Sequence, residues 1–275
     1  MADRTRTRFA QTLRYAVASI ALIFFLFPIL WIILTAFKTG AEFMHEPPVW
    51  IPQTPTLASF ENVITSGGLN SLTNSLVISS VATGMSLVIG SLAAYGLSRY
   101  RVGGDDLPFF ILSQRFMPPV AVIFPFLLVF KALRWMDTWQ ALVVVHLTFN
   151  LPYAVWMMRG FFAEVPLEME EAALVDGCSP LGAFWRIALP LTTPGLVATG
   201  VFCFIFSWSE FFFGVCLTQT KAIPLAVQLP MFFGKQMIMW GNVGALSVIA
   251  ILPLIVMSFF VQRYLVRGLT LGAVR

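Results

Sequence analysis

Six stretches of this chain are each apolar for about the length that a membrane-crossing helix needs, and that fact excludes most folds at once. They run about Tyr15–Phe37, Leu72–Ser98, Leu107–Phe130, Trp139–Phe162, Leu191–Leu217 and Gly244–Tyr264, against the roughly 20 residues required to span the hydrocarbon layer. Hydrophobic residues make up 58% of the sequence and charged ones only 11%, which leaves too few polar side chains to coat a water-soluble domain. Lipid offers the backbone no hydrogen-bond partners, so each run is expected to be helical. Barrel strands would be shorter and would alternate in polarity, which these runs do not. The expected fold class is an all-α integral membrane protein with six transmembrane helices.

Orientation follows from the basic residues. With the N-terminus inside, the inner segments hold Arg4, Arg6, Arg8, Arg14, Arg99, Arg101, Arg159, Arg186, Arg263, Arg267 and Arg275. The outer segments hold only Lys38, Lys131, Arg134, Lys221 and Lys235, and Arg115 falls within a span. Both termini are therefore expected in the cytoplasm. The organisation reads as a basic stub over residues 1–14, a membrane domain over 15–264 and a basic tail over 265–275. The net charge of +4 then describes topology; the positive residues are scattered over short loops and do not form the single patch that nucleic acid would need. The first span follows a basic start but is too long for a cleaved leader and lacks a small-residue cleavage site, so it reads as a retained anchor.

One segment, residues 165–190, is a polar island carrying Glu168, Glu170, Glu171 and Asp176. Pro166 suits the first turn of a helix, the glutamates lie near that helix's positive end, and Gly177 is a natural left-handed stop. Ser179-Pro180 supplies an N-cap and a first-turn proline for a second short helix running into Pro190. Two short helices joined by a tight turn, presented on a membrane protein, suit a docking element.

The spacing Glu171-Ala172-Ala173, three residues, Gly177, nine residues, Ile187, one residue, Leu189-Pro190 resembles the EAA loop of ATP-binding-cassette importer permeases. The resemblance covers most of the chain and points to the carbohydrate-uptake branch, of the maltose and glycerol-phosphate type. Leu72-Thr-Asn74-Ser75-Leu, Ala94-Tyr-Gly-Leu-Ser-Arg-Tyr-Arg101, Gln114-Arg115-Phe-Met-Pro118-Pro119, Trp208-Ser209-Glu210-Phe211 and the tail Arg267–Arg275 all have counterparts there. Departures are Cys178 where Ala is common, Ser209 where Asn is common, and a tail lacking its final Gly. The resemblance implies the importer-type permease fold with cytoplasmic coupling helices. It implies ATPase contacts at Glu168, Glu171, Ala172, Ala173, Asp176 and Gly177, with a second contact at Arg267 to Arg275. It further implies an ATP-binding subunit dimer, a second and different permease chain, an extracytoplasmic solute-binding protein, a carbohydrate substrate, and a bacterial inner-membrane location. The loops Lys38–Ser71 and Lys221–Trp240 are the expected contact surfaces for the binding protein.

Within the spans two ionisable residues stand out, Arg115 and Glu210. Each costs roughly 2.5–3.5 kcal/mol to insert, so each is expected to face the bundle interior. They either border the solute pathway or fix helix packing, as a direct pair or separately. Pro118-Pro119 breaks the backbone ladder, which is tolerated at membrane depth only against protein or a water-filled cavity; Pro152, beside Asn150 and Tyr153, is expected to make a similar break. Taken as a set, Asn74, Ser75, Gln114, Arg115, Asn150, Tyr153, Trp208, Ser209 and Glu210 suggest a polar path for a hydroxylated solute. His146 reads as a buried residue satisfied by a neighbouring helix.

No metal site is expected, since Cys178, Cys203, Cys216, His45 and His146 show no ligand spacing. There is no Gly-x-x-x-x-Gly-Lys-Ser/Thr phosphate loop: the one Gly-Lys, Gly234-Lys235, precedes Gln236. The chain is thus expected to be a transport subunit and no enzyme, with ATP and Mg held by partner subunits and no cofactor of its own. The alternative is a stand-alone ion-coupled secondary transporter, for which Glu210 would be the sole intramembrane acid.

Overall fold

A computed structural model describes residues 2–100, 102–104, 106–234 and 238–271, with side chains over residues 11–262 of these. The chain is all-helical. In order come α1 (Ala2–Ala36), α2 (Gly40–Phe43), α3 (Ala58–Thr65), α4 (Gly68–Tyr100), α5 (Asp106–Ser113), α6 (Pro119–Ala132) and α7 (Trp139–Glu164). Then follow α8 (Leu167–Val175), α9 (Pro180–Ala183), α10 (Leu189–Leu191), α11 (Thr193–Trp208), α12 (Phe212–Leu217), α13 (Leu225–Gln228) and α14 (Trp240–Leu271). A π-helical turn, Phe184–Ala188, joins α9 to α10.

Among the described residues four of the expected spans are single helices, with apolar membrane-length portions at Gln11–Ala36, Gly68–Tyr100, Trp139–Glu164 and Trp240–Gln262. The third and fifth are not. Asp106–Phe116 meets Pro119–Ala132 at 88°, and Pro180–Leu191 meets Thr193–Trp208 at 79°. The first bend follows from two consecutive prolines: each pushes the residue before it out of the helical region, and Met117 and Pro118 are extended, with ψ of 125° and 129°. At the second, Pro194 has no N–H for the carbonyl of Pro190, and the Thr193 hydroxyl takes that carbonyl instead at 2.7 Å. The fifth span unwinds once more between Trp208 and Phe212. Pro152 corrects the expectation in the other direction, since α7 runs through it without a break. The basic N-terminal stretch is helical too, since α1 begins at Ala2 and runs on into the first span.

The helices form two compact units, residues 1–68 with 229–251 and residues 69–228 with 252–275. In the first, the apolar window of α1 is exposed all round, which suits contact with lipid. Past it, the Lys38 ammonium lies 4.0 Å from the centre of the Trp31 ring, and Trp31 meets Trp50 edge-on at 5.3 Å. The Glu42 carboxylate accepts from the backbone N–H groups of Thr39 (2.8 Å) and Gln53 (2.6 Å), tying α2 to the loop that follows it.

In the second unit α7 is the axis. Just over half of its apolar window is buried, while Thr148, Trp156 and Gly160 stay exposed. Near its Trp139 end a core forms from Ile78 and Ala82 of α4, Ile123 and Phe130 of α6, Leu142 and Val145, and Phe213 and Leu217 of α12. Near its Glu164 end Ala94 and Tyr95 of α4 pack with Val155, Met158 and Phe162 and with Phe184 of the π turn. Gly90 lets α4 close on α7: a Cβ there would stand 2.7 Å from the Ala154 methyl.

Asn74 and Asp137 fasten the 218–225 segment. Asn74 donates to the carbonyls of Lys221 and Ile223, both at 3.0 Å, and accepts from the Trp139 indole at 2.7 Å. Asp137 accepts from the N–H groups of Gln219, Thr220, Lys221 and Ala222 and from the Thr220 hydroxyl. Burial alone would raise the Asp137 pKa, but these donors outweigh it and hold the carboxyl well below the usual range. A depressed carboxyl stabilises the fold above its unfolded pKa of about 4, and the contribution is lost as pH falls through the lower, folded value. Asp137→Asn is therefore expected to lower the detergent melting temperature by a few degrees at pH 7, with the gap to wild type closing as the pH is taken well below 4; melts across that range check it.

Candidate functional site

The 165–190 segment folds as its sequence indicates. Val165 and Pro166 are extended, with ψ of 122° and 131°, and α8 runs for two and a half turns to Val175. Gly177 stops it with φ of +88°. Its N–H donates to Leu174 O (3.0 Å) and that of Cys178 to Ala173 O (2.9 Å), the paired bonds of a Schellman ending. The Ser179 hydroxyl then caps the next helix by accepting from Gly182 N at 3.1 Å.

What sequence reasoning missed is how this loop is held. Glu170 is buried, with Ala173, although the rest of its helix is exposed. Its carboxylate accepts from Arg99 Nη2 (2.6 Å) and Nε (2.9 Å) and from the Tyr95 hydroxyl (2.7 Å), all on α4. Arg99 Nη2 also donates to Val165 O at 2.9 Å. Both charged partners are largely out of water, with side-chain exposures of 11% and 4%. The available signal was spacing: Tyr95 and Arg99 lie four apart on one face of α4, near an acid-rich loop.

With Glu170 turned inward, the outer face is left with Glu168, Glu171, Ala172, Leu174, Asp176 and Val175, the last 88% exposed. Of the residues expected at the ATPase contact, Glu168, Glu171, Ala172, Asp176 and Gly177 are exposed together, and Ala173 is buried beneath them. Arg275 and the side chain of Arg267 lie outside the described residues.

A second site sits where the third span bends at Pro118-Pro119 and the fifth unwinds before α12. Arg115 donates from Nη1 to Phe149 O at 2.8 Å, within the turn that Pro152 weakens. Its guanidinium carbon lies 4.2 Å from the centre of the Phe206 ring and 5.4 Å from that of Tyr153, an arrangement that favours a cation. Glu210 stands in the unwound stretch before α12 and caps it, accepting from Phe213 N (2.9 Å) and Gly214 N (3.1 Å). No ion pair joins Arg115 to Glu210 among the described residues. Glu210 instead faces His146, with Nε2 3.7 Å from Oε2.

These residues line a cavity of about 220 Å³ together with Asn150 and Ser207. Of the nine residues expected on the solute path, Arg115, Asn150 and Glu210 lie here, and Asn150 also donates to Ser207 Oγ and Cys203 O. The others are placed elsewhere. Asn74 and Ser75 hold the 218–225 segment, the latter by accepting from Leu225 N. Gln114 and Ser209 bond to carbonyls of their own helices, Trp208 stacks on Phe204, and Tyr153 packs between Arg115 and Phe206.

Residues 86–271 match the sequence profile of the family described as binding-protein-dependent transport system inner membrane component. The chain belongs to that family. As a permease it is a multi-pass membrane subunit that moves solute in an ATP-binding-cassette importer, not an enzyme. It is 37% identical to a probable ABC transporter permease protein of Sinorhizobium fredii, over 99% of this chain and 98% of that one. It is 33% identical to a trehalose/maltose transport system permease protein of Thermococcus litoralis, over 91% of each. In fold the permease resembles a chain of a bacterial ABC transporter involved in the import of alginate, with a TM-score of 0.77 over 94% of this chain and 96% of that one at 24% identity.

Because the Glu170 carboxylate is enclosed, removing its partner leaves an unpaired buried charge, which costs about 3–5 kcal/mol. Arg99→Ala is expected to open the loop to limited proteolysis between Val165 and Pro180 in the purified permease. Arg99→Met combined with Glu170→Met, which removes both charges, is expected to restore much of the protection; a double-mutant cycle on cleavage rates checks it.

Proposed function

We propose that the permease forms one half of the pathway by which a sugar, sugar alcohol or glycoside enters a bacterial cell, and that its 165–190 loop is the contact through which an ATPase dimer drives it. Both termini and this loop lie in the cytoplasm on this reading, in keeping with the excess of arginine in the segments assigned inside. ATP and Mg are bound by the ATPase subunits. A second, different permease chain completes the pathway, and a solute-binding protein delivers the solute from outside. The carbohydrate class rests on the sequence patterns of the second, third and fifth spans and on the named substrates of the trehalose/maltose relative.

The observation that carries the coupling role is the two-sided build of α8. Its outer face offers carboxylates at Glu168 and Glu171, a flat patch at Ala172 and an exposed Val175, while its inner face is bonded to α4 through Glu170. Small side chains allow a partner's surface close approach, and Glu171 can meet a basic group in the ATPase. When ATP closes the ATPase dimer, displacement of α8 is transmitted to α4 through Arg99 and Tyr95 and to α7 through the two-residue link at Val165-Pro166. A loop fastened by its ends alone would absorb that displacement. The spans then rotate as a body and turn the cavity from one side of the membrane to the other.

Glu171→Lys reverses a charge on the outer face without touching the Glu170 anchor. It is expected to leave the permease inserted and assembled with its partner permease while reducing ATP-driven uptake to background. Gly177→Asp places a side chain at a left-handed position at a cost of roughly 1–2 kcal/mol and sets a new charge beside the contact, with the same expected loss. Sugar uptake in cells, set against the amount of ATPase co-purified, checks both; normal uptake with either variant would contradict the coupling role.

A further inference from the structure

His146 is the buried polar side chain that the described structure leaves unexplained beside a cavity. It lies on α7 with its side chain 3% exposed, and neither ring nitrogen has a hydrogen-bond partner among the described residues. Leaving such a group unmatched is costly, and a native chain that does so commonly has a use for the group. Its Nε2 points toward Glu210 Oε2 at 3.7 Å, too long for a direct hydrogen bond. Both ring nitrogens are closed to solvent in this structure, and a single oxygen atom at ordinary hydrogen-bond length from each would bridge the gap once the cavity opens to admit it. The two sides have complementary chemistry. Imidazole with its hydrogen on Nε2 is a donor, and the carboxylate is a pure acceptor. Glu210 spends one bond per oxygen on Phe213 N and Gly214 N, and a carboxylate has about four lone-pair sites, so acceptor capacity is left on the oxygen that faces His146. A donor and an acceptor set to meet at one atom match a hydroxyl group, which accepts and donates at the same oxygen.

The surroundings restrict the ligand further. The Arg115 charge is directed to Phe149 O and to the aromatic faces of Phe206 and Tyr153. Glu210 contributes a negative charge to the same cavity, which disfavours an anionic group next to it. Met117 and Pro119, both exposed where they line the cavity, supply apolar surface of the kind that packs on the C–H side of a sugar ring. We propose that His146 and Glu210 form a hydroxyl clamp on the solute path, in which His146 Nε2 donates to one uncharged hydroxyl of the transported solute and Glu210 Oε2 accepts from it. The clamp rests on the reading of this chain as a sugar permease. It adds to that reading one recognition contact in the membrane, apart from the selection made by the solute-binding protein.

The test uses the complete complex of both permease chains, the ATPase dimer and the solute-binding protein, reconstituted in vesicles. The probes are radiolabelled maltose, trehalose and their monodeoxy analogues, with uptake corrected for each sugar's affinity for the binding protein. Wild type is expected to import one monodeoxy analogue on the order of tenfold less efficiently than its parent, the value of one hydrogen bond and the partner left unmatched. His146→Phe is expected to import the parent on the order of tenfold more slowly and to lose that discrimination, whereas His146→Gln, which keeps a donor, restores most of both. Should Phe at 146 prevent assembly, His146→Leu makes the same comparison. Equal import of every analogue by wild type, or unchanged discrimination in His146→Phe, would overturn the clamp and leave the permease reading standing. Import of neither parent sugar by wild type would contradict the extension of the trehalose/maltose relative's substrates to this permease, and the clamp on those sugars with it, before any variant is compared.

Discussion

The Glu170 carboxylate lies out of water beneath the loop proposed to transmit displacement, and the Arg99 guanidinium and Tyr95 hydroxyl make that placement tolerable. A buried ion carries a desolvation cost of several kcal/mol, which a partner offsets only when geometry is good and the remaining polar atoms are bonded. Here the carboxylate takes three donors and the guanidinium also reaches Val165 O. Separation of α8 from α4 would expose an unpaired charge to the apolar layer formed by Tyr95, Phe162 and Phe184. The contact therefore resists being pulled open more strongly than apolar packing of a short helix would. The Schellman ending at Gly177 and the Ser179 cap fix the other side of the loop, so its exposed face keeps one shape.

The same logic, applied at the breaks, accounts for the polar cavity. Pro194 denies the Pro190 carbonyl its usual partner and the Thr193 hydroxyl takes it, while Arg115, beside the break at Pro118-Pro119, donates to Phe149 O on α7. At the unwound stretch before α12, Glu210 meets the first N–H groups of that helix. Each substitution of side chain for backbone brings a polar group to membrane depth. Arg115 and Glu210, from the break at Pro118-Pro119 and the stretch before α12, meet His146 of α7 around one cavity lined by aromatic rings.

Much of this was legible in the sequence where the signal was local. The length of the apolar runs located the spans. Pro166 and Gly177 marked both ends of the first short helix, and Ser179-Pro180 marked the start of the second, whose run into Pro190 is interrupted by the π turn at Phe184–Ala188. The path of the third and fifth spans was less so. Hydropathy is blind to direction, and a run such as Leu107–Phe130 has the same composition straight or folded at 88°. Pro152 shows the converse, because burial of the turn around it, with Asn150 and Ala154, holds a helix that the proline alone would weaken. Long-range partners were the hardest to see. Glu170 looked like one of four surface acids, and only the fold brings Arg99, 71 positions earlier, against it. Asn74 looked like a pathway residue for the same reason, since its partners lie nearly 150 positions away.

The central claim is that the face of α8 bearing Glu171 and Val175 lies at the inner side of the membrane and is covered by the ATPase. A single cysteine at position 175, in a permease whose own three cysteines are replaced by serine or alanine, tests this through its reaction with a membrane-impermeant maleimide. The expected result is no labelling in intact spheroplasts, rapid labelling in inside-out vesicles stripped of the ATPase, and protection when the purified ATPase is added back. Labelling of intact spheroplasts, or equal labelling of vesicles with and without the ATPase, would contradict it.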